Sequence, residues 1–388
     1  MNHDIERRGR IWAEVDLDAL VHNYLCAKKA ADGANTLAVL KANAYGHGAV
    51  EAARALSAVG VDYIGVAAPC EAVELREAGI RAPLLLLGVA PDCDVAQLAA
   101  LDVELSCPSV DHARKFVALA GGPVRVHIQL DTGMSRLGID TLSGTAQAAE
   151  QIAEIASLSG LTIAGMYTHF CVSDTPEEDE YTLRQFALFC ETRDAAAALG
   201  VSIPLCHCAN SAAILRFPQM RLDMVREGIM LYGVAPDVWM EGMGGLRPVM
   251  SVRTRVMQVK QIKAGTTVGY GRTWRAERDT TVATLGIGYA DGYPRIASNK
   301  HKMLVNGTLV NQIGRVCMDI TMIDVTGLEV SVGDVVTVFG ADGGTERSAA
   351  DVATVSGTIG YELLCNVNRR VPRIYLQGGK AVSRTGGI

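Results

Sequence analysis

Lys41 is the first residue in the chain whose surroundings suggest chemistry. It directly follows the apolar run Thr36 to Leu40 and opens the segment Lys41-Ala42-Asn43-Ala44-Tyr45-Gly46-His47-Gly48. A lysine leaving a buried strand is partly desolvated, which disfavours the ammonium, lowers its pKa and yields the free amine that Schiff-base chemistry requires. By itself such a lysine is an ordinary solvated side chain. The glycines and Tyr45 behind it favour the functional reading, because small residues let the backbone approach a ligand closely. An anion anchor is sought in Asn210-Ser211 and in Arg226-Glu227-Gly228-Ile229, since hydroxyls and backbone amides at loop and helix starts favour anions. The plain alternatives are that Ser211 is a helix N-cap and Gly228 a turn glycine. Cys206-His207-Cys208 invites a metal reading, but on a strand the two cysteines face one side and the histidine the other, so a buried strand without metal is expected.

These residues need a frame that gathers them. Eight short apolar or β-branched runs recur, at Thr36 to Leu40, Tyr63 to Val66, Leu84 to Leu87, Val103 to Ser106, Val124 to Leu130, Ile163 to Thr168, Leu205 to Cys208 and Met224 to Glu227, with alanine-rich helical segments between them. This rhythm predicts an α/β fold built on a (β/α)8 barrel, whose functional groups gather at the C-terminal ends of the strands. Lys41, Arg136, His169, Asn210 with Ser211, and Arg226 all follow such runs. After about Gly245 the texture becomes β-rich, at Ser251 to Ile262, Thr281 to Gly288, Met303 to Val305, Thr308 to Ile313, Met318 to Val325, Val335 to Phe339 and Arg373 to Leu376, with few helical signals. Asn306-Gly307 there predicts a hairpin turn at positive φ. The expected division is a barrel over residues 12–245 and a β-rich domain over 246–388 together with 1–11, although Arg10 to Val15 is strand-like and suited to pairing with the second domain.

Composition narrows the function class. The 388 residues are 49% hydrophobic and 20% charged, a globular profile, and the formal net charge of −6 argues against a nucleic-acid footprint. The apolar run from Pro83 to Ala90 is too short to span a bilayer and no apolar signal follows the polar start, so a cytoplasmic location without membrane partners is expected. Ten scattered cysteines then fit reduced thiols.

Taken together, the segments around Lys41 resemble the alanine racemase family. Val39 to Gly48 is similar to its cofactor-lysine signature. The resemblance continues through Leu130 to Gly138, Tyr167 to Phe170, Arg226 to Ile229, Tyr232-Gly233, Val268 to Arg272, Gly288 to Gly292, Gly314 to Asp319 and Gly360 to Glu362, nearly the whole chain. It implies a pyridoxal 5'-phosphate enzyme that interconverts L- and D-alanine through an external aldimine, supplying D-alanine for peptidoglycan. Lys41 would carry the cofactor, Tyr45, Ser211, the Gly228 and Ile229 amides and Tyr361 would hold its phosphate with Asn210 alongside, and Arg226 would face the pyridine nitrogen. A guanidinium there cannot accept the ring proton, which makes a weaker electron sink than a carboxylate would. Lys41 and Tyr270 would be the two acid/base groups, with His169 between Tyr270 and Arg226. Arg136, the Met318 amide and Asp319 would form the substrate-carboxylate site, and Tyr289, Arg295 and Arg315 would line the entrance. The resemblance also implies a head-to-tail homodimer in which each site joins Lys41 of one subunit to Tyr270 of the other.

The sequence departs from the family pattern at Gln129, where many members carry a lysine that becomes carbamylated; an amide cannot, so activity without added bicarbonate is expected. Three alternatives remain. A serine or broad-specificity racemase is disfavoured by Tyr361, whose bulk favours alanine. A basic-amino-acid decarboxylase would carry glutamate where Arg226 stands, and a non-catalytic pyridoxal-phosphate binder would lack the β-rich segments.

Overall fold

The computed structural model describes residues 9–387. Strand β1 (Ile11–Asp16) leads into the helix Leu17–Ala30, whose start is fixed by the Asp16 carboxylate accepting the Ala19 N–H at 2.9 Å. The expected βα rhythm follows as β2 (Asn35–Val39), β3 (Tyr63–Val66), β4 (Leu84–Leu86), β5 (Val103–Cys107), β6 (Val124–Asp131), the two-residue β7 (Ile139–Asp140), β8 (Leu161–Tyr167), β9 (Cys206–His207) and β10 (Met224–Glu227). All but β7, which sits beside β6, pair in the order β10-β2-β3-β4-β5-β6-β8-β9. Between β9 and β10 the circle is bridged by Asp223 N–H to Cys206 O at 3.1 Å and Arg226 N–H to Ala209 O at 2.9 Å, giving a nearly closed parallel barrel of eight strands. Leu37, Ile64, Leu84, Leu85, Leu105, Ile128 and Met166 are buried, as strands covered on both faces require.

The second sheet contains β11 (Met250–Ile262), β14 (Thr280–Leu285), β15 (Lys302–Val305), β16 (Thr308–Ile313), β17 (Thr321–Asp324), β18 (Val335–Asp342), β19 (Thr345–Arg347), β20 (Arg373–Gln377) and β21 (Lys380–Thr385), while β12 (Thr267–Val268) and β13 (Trp274–Arg275) form a separate ribbon. Pairing runs β11-β14-β17-β16-β15-β18 and returns to β11, so six strands form a closed ring. The β15–β16 hairpin turns at Asn306 and Gly307, both at positive φ, with Val305 paired to Thr308, as the Asn-Gly pair predicts.

The structure corrects two expectations and adds detail to a third. Residues 12–16, placed with the barrel, belong to β1, which pairs antiparallel with β11 and parallel with β20; its buried residues Ile11, Ala13 and Val15 complete the β-rich domain. The placement of residues 1–8 lies outside the described residues. The C-terminal region is mostly β, as expected, but helices Ala349–Ser356 and Gly360–Cys365 interrupt it, the first started by Ser348, whose hydroxyl accepts the Asp351 N–H at 3.1 Å. Finally, Met318 is not on a strand but in the turn before β17, closed by Cys317 N–H to Ile320 O at 2.9 Å.

Candidate active site

At the C-terminal mouth of the barrel lies a cavity of about 630 Å³, lined among others by Lys41, Tyr45, Arg136, His169, Ser211 and Arg226. Lys41 leaves β2 and is followed by one left-handed turn, with φ of 52°, 55°, 52° and 50° at Ala42, Asn43, Ala44 and Tyr45. Each non-glycine residue in that region costs roughly 1–2 kcal/mol, so surrounding contacts must impose it. Glu71 accepts the Ala42 N–H at 2.6 Å and the Ala67 and Ala68 N–H groups at 2.8 and 3.0 Å. Asn43 Oδ1 accepts the Ala49 N–H at 2.8 Å, and Arg373 Nε donates to Gly46 O at 3.0 Å. A side chain at Gly46, where φ is +85°, would lie 2.3 Å from Leu364 O, so the turn is wedged against the helix Gly360–Cys365. Its effect is to aim Lys41 into the cavity, where burial first and then the Arg136 charge lower its pKa.

Ser211 is not the N-cap that the sequence suggests. Asn210 takes that role, its Oδ1 accepting the Ala213 N–H at 3.0 Å and the Ser173 hydroxyl at 2.8 Å. The Ser211 hydroxyl is thereby free to accept the Gly228 N–H at 2.9 Å. A Cβ on Gly228 would meet Ser211 Oγ at 3.4 Å and Tyr45 Oη at 3.5 Å, so the two hydroxyls converge on bare backbone. The Tyr45 ring packs on Tyr232 at 4.9 Å and faces Tyr361 at 6.2 Å between centroids. Burial raises the pKa of both Tyr45 and Tyr361, so both are neutral donors.

Arg226 is buried. Its Nη1 donates to His207 Nδ1 and His207 O, each at 2.9 Å, and its Nη2 to Thr168 O at 2.6 Å and Cys208 O at 3.0 Å, with His169 Nδ1 at 3.3 Å. Burial, followed by the charges of Arg226, Arg136 and Lys41, pushes the His169 pKa down to about 3, so this imidazole is neutral. Gln129 lines the same cavity as Arg136, its buried Oε1 without a hydrogen-bond partner. Arg136 itself is exposed at the rim, on a loop held by Asp131 Oδ1, which accepts the Gly133 and Ser135 N–H groups at 2.9 and 3.0 Å.

The remaining predicted residues are gathered elsewhere. Tyr270, Tyr289, Arg295, Arg315, Met318 and Asp319 are on the β-rich domain and none lines the Lys41 cavity. Tyr270 is 70% exposed and Met318 54%. They share one surface: Tyr289 and Ala290 N–H groups donate to Cys317 O and Met318 O at 3.0 Å each, and a Cβ at Gly271 would touch the Arg315 guanidinium at 3.1 Å. Burial raises the Cys317 pKa and the Arg295 charge partly opposes the rise, which places Arg295 beside the same loop. The Asp319 carboxylate is engaged by Arg370 at 2.5 Å. That arginine also grips buried Asp291 at 2.8 Å, together with Arg10 at 2.7 Å.

Two family models, described as alanine racemase N-terminal domain and alanine racemase C-terminal domain, match residues 15–236 and 249–375. The chain belongs to the alanine racemase family. It is 41% identical to alanine racemase 2 of Caldanaerobacter subterraneus subsp. tengcongensis over 372 residues, 95% of each chain. Among solved structures, alanine racemase from Clostridium difficile 630 matches at a TM-score of 0.91 and 35% identity, covering 99% of this chain and 100% of that one. Alanine racemase from Bacillus anthracis with bound L-Ala-P matches at 0.91 and 36%, covering 98% of each. Alanine racemases are pyridoxal-phosphate-dependent isomerases. The cavity fits that cofactor: a desolvated amine stands at one side, a cradle of hydroxyls over Gly228 at another, and the guanidinium cations Arg136 and Arg226 favour an anion.

Sequence reading missed several contributors. Glu71, which anchors the left-handed turn, was detectable as the third residue of a helix opened by Pro69. Cys365, whose thiol lines the cavity near Lys41, carried no signal beyond the Gly360 to Glu362 segment. Glu104 and His127 also went unseen, because a polar residue inside a barrel strand has no local signature.

Proposed function

We propose that this protein racemises alanine, with Lys41 Nζ and Tyr270 Oη taking and returning the Cα proton from opposite faces. The observation carrying this reading is the convergence of Lys41, the Ser211–Gly228–Tyr45 cradle and Arg226 on one cavity, within a family of pyridoxal-phosphate isomerases. Pyridoxal phosphate bound at Lys41 supplies the electron sink that acidifies the Cα hydrogen. Ser211, Tyr45, Tyr361 and the Gly228 and Ile229 amides would hold its phosphate. Arg226 has both terminal nitrogens engaged by the protein, leaving Nε to face the ring nitrogen, from which it cannot take a proton. Arg136 and the Met318 amide orient the substrate carboxylate. His169, neutral and beside Arg226, supports Tyr270, while Tyr289, Arg295 and Arg315 line the entrance.

Because Tyr270 and Met318 lie outside the Lys41 cavity of their own chain, the reading requires a second copy. The working unit is then a homodimer with two shared sites, each copy built from a barrel beginning after β1 and a β-rich domain that includes β1. No helix among the described residues is long and apolar enough to cross a membrane; a cytoplasmic setting, with D-alanine passed to peptidoglycan synthesis, follows from the reaction. Tyr361 stands 6.2 Å from Tyr45 between ring centroids at the cavity wall, and its bulk supports alanine over serine.

The test is incubation of the protein with pyridoxal phosphate and L-alanine, then with L-lysine or diaminopimelate, followed by chiral analysis and measurement of carbon dioxide. D-alanine without carbon dioxide is expected. Carbon dioxide from the basic amino acids, or cofactor binding without any turnover, would replace racemisation with decarboxylation or with cofactor storage.

A further inference from the structure

The inside of a (β/α)8 barrel is normally filled by branched apolar side chains. Here a chain of polar side chains crosses it from β10 back to β5. Arg226 Nη1 meets His207 Nδ1 at 2.9 Å, His207 Nε2 meets His127 Nδ1 at 2.9 Å, and His127 Nε2 meets Glu104 Oε2 at 2.8 Å. Glu104 Oε1 pairs with Arg125 at 2.5 Å. His127 and His207 are fully buried, and Arg226 and Glu104 nearly so. Aromatic rings wall the chain: Tyr167 stacks on His207 at 5.0 Å, and Tyr63 stands edge-on to His127 at 6.4 Å. Space for it is made at Gly165 on β8, where a Cβ would lie 2.5 Å from His127 Nδ1 and 2.6 Å from its Cε1.

The direction of every bond is forced from one end. A guanidinium only donates, so His207 Nδ1 accepts and the neutral imidazole carries its proton on Nε2. That proton points at His127 Nδ1, which must therefore accept, leaving the His127 proton on Nε2 and directed at the Glu104 carboxylate. Among the described residues no carboxylate pairs with Arg226, and Glu104 closes the hydrogen-bond chain as its anion.

We propose that Glu104 and His127 are positioning residues that lock His207 in its Nε2–H tautomer and thereby fix the Arg226 guanidinium with Nε turned to the cofactor cavity. If Glu104 no longer accepts, His127 is free to carry its proton on Nδ1. It then presents a donor to His207 Nε2, and His207 is driven toward the Nδ1–H tautomer, which opposes the Arg226 N–H. This proposal rests on the racemase reading for its consequence but not for its structural content.

The decisive measurement is long-range 1H–15N correlation of histidine-labelled protein without cofactor, at neutral pH. In the unmodified chain, His207 and His127 should both show the neutral Nε2–H pattern. Glu104→Gln retains a carbonyl acceptor and should keep it. Glu104→Ala should shift the His127 and His207 ring signals, weaken pyridoxal-phosphate binding and lower kcat about ten- to a hundredfold, the worth of a hydrogen bond to a charged group, with KM for alanine little changed. Glu104→Asp, which keeps the charge but withdraws the carboxylate from His127 Nε2 by one methylene, should produce the same histidine signature if Glu104→Ala fails to fold. A His207 signal in the Nδ1–H or doubly protonated form, or identical ring signals in the Glu104→Ala protein, would overturn the proposal. Correct tautomers in a protein that binds the cofactor without racemising alanine would instead overturn only the functional reading.

Discussion

Replacing Tyr45 by phenylalanine isolates one contribution to cofactor binding. The ring is buried and packs on Tyr232 at 4.9 Å, contacts that phenylalanine keeps. The hydroxyl makes no hydrogen bond to any described residue and stands beside the Gly228 backbone, 3.5 Å from where a Cβ would be. Burial raises its pKa, so it stays protonated and donates. Removing it leaves no protein group unsatisfied and deletes one hydrogen bond to a phosphate, worth roughly 1.5–3 kcal/mol, or about ten- to a hundredfold in affinity. Titrating cofactor-free Tyr45→Phe protein with pyridoxal phosphate should show that loss, while its urea midpoint without cofactor stays that of the unmodified protein. Ser211→Ala makes the contrast: its hydroxyl also accepts the Gly228 N–H at 2.9 Å, so both cofactor affinity and cofactor-free stability should fall, the latter by about 1 kcal/mol. Unchanged affinity in Tyr45→Phe, or a drop in its cofactor-free stability as large as that of Ser211→Ala, would refute the assignment of this hydroxyl to the phosphate.

Borohydride treatment should leave a pyridoxyl mass on the peptide containing Lys41, absent from Lys41→Ala; an adduct on Lys28 or Lys29 would overturn the site. Co-expressing Lys41→Ala with Tyr270→Ala, each inactive alone, should restore activity in mixed dimers from one of the two sites, and verified mixed dimers without activity would exclude a shared site. Tyr361→Asn should shift turnover toward serine by relieving bulk and adding hydrogen-bonding capacity; an unaltered alanine-to-serine ratio would separate Tyr361 from specificity. Burial lowers the His47 pKa from 6.5 to about 4 and that of His301 from 6.5 to about 3. Below pH 6.5 the unfolded chain therefore binds protons that the fold does not, and stability present above that pH is lost as it falls, by at most about 1.4 kcal/mol per pH unit for each histidine. His169 and His207, lowered the same way by burial, add to this, so the urea midpoint should drop between pH 7 and pH 5, and a midpoint that holds or rises would contradict these neutral buried imidazoles.

The barrel was legible because its signal is repeated: each strand is a short apolar run and each helix an alanine-rich segment, so an error at one element does not disturb the others. Leu205 to Cys208 shrinks to the two residues Cys206–His207, yet the order of strands is unaffected. Single, local decisions were harder. Ala349–Ser356 was lost among β-rich neighbours although Ser348 and Asp351 mark its start. The closure of β18 on β11 depends on a pairing between residues such as Val252 and Phe339, which no local pattern announces. Asn210 and Ser211 present the same difficulty at smaller scale: either can cap a helix, and only the backbone decides that Asn210 does so, leaving Ser211 for the cradle.

At the site, sequence position alone accounts for the groups that leave strand ends, namely Lys41, His169, Ser211 and Arg226. It cannot account for how they are held. The left-handed turn after Lys41 uses Ala42 and Ala44, residues with no preference for positive φ, and it is held because Glu71 and Arg373 satisfy its backbone from two other elements while its own Asn43 accepts the Ala49 N–H at the start of the next helix. Arg226 likewise owes its orientation to His207 and to the carbonyls of Thr168 and Cys208. The candidate site groups are therefore written where strands end, whereas the forces that aim them are distributed over residues far apart in the chain. Tyr270 is the extreme case, exposed on its own β-rich domain. An exposed tyrosine is unremarkable within one chain, and it acquires a catalytic role only if a second copy brings a Lys41 cavity to it.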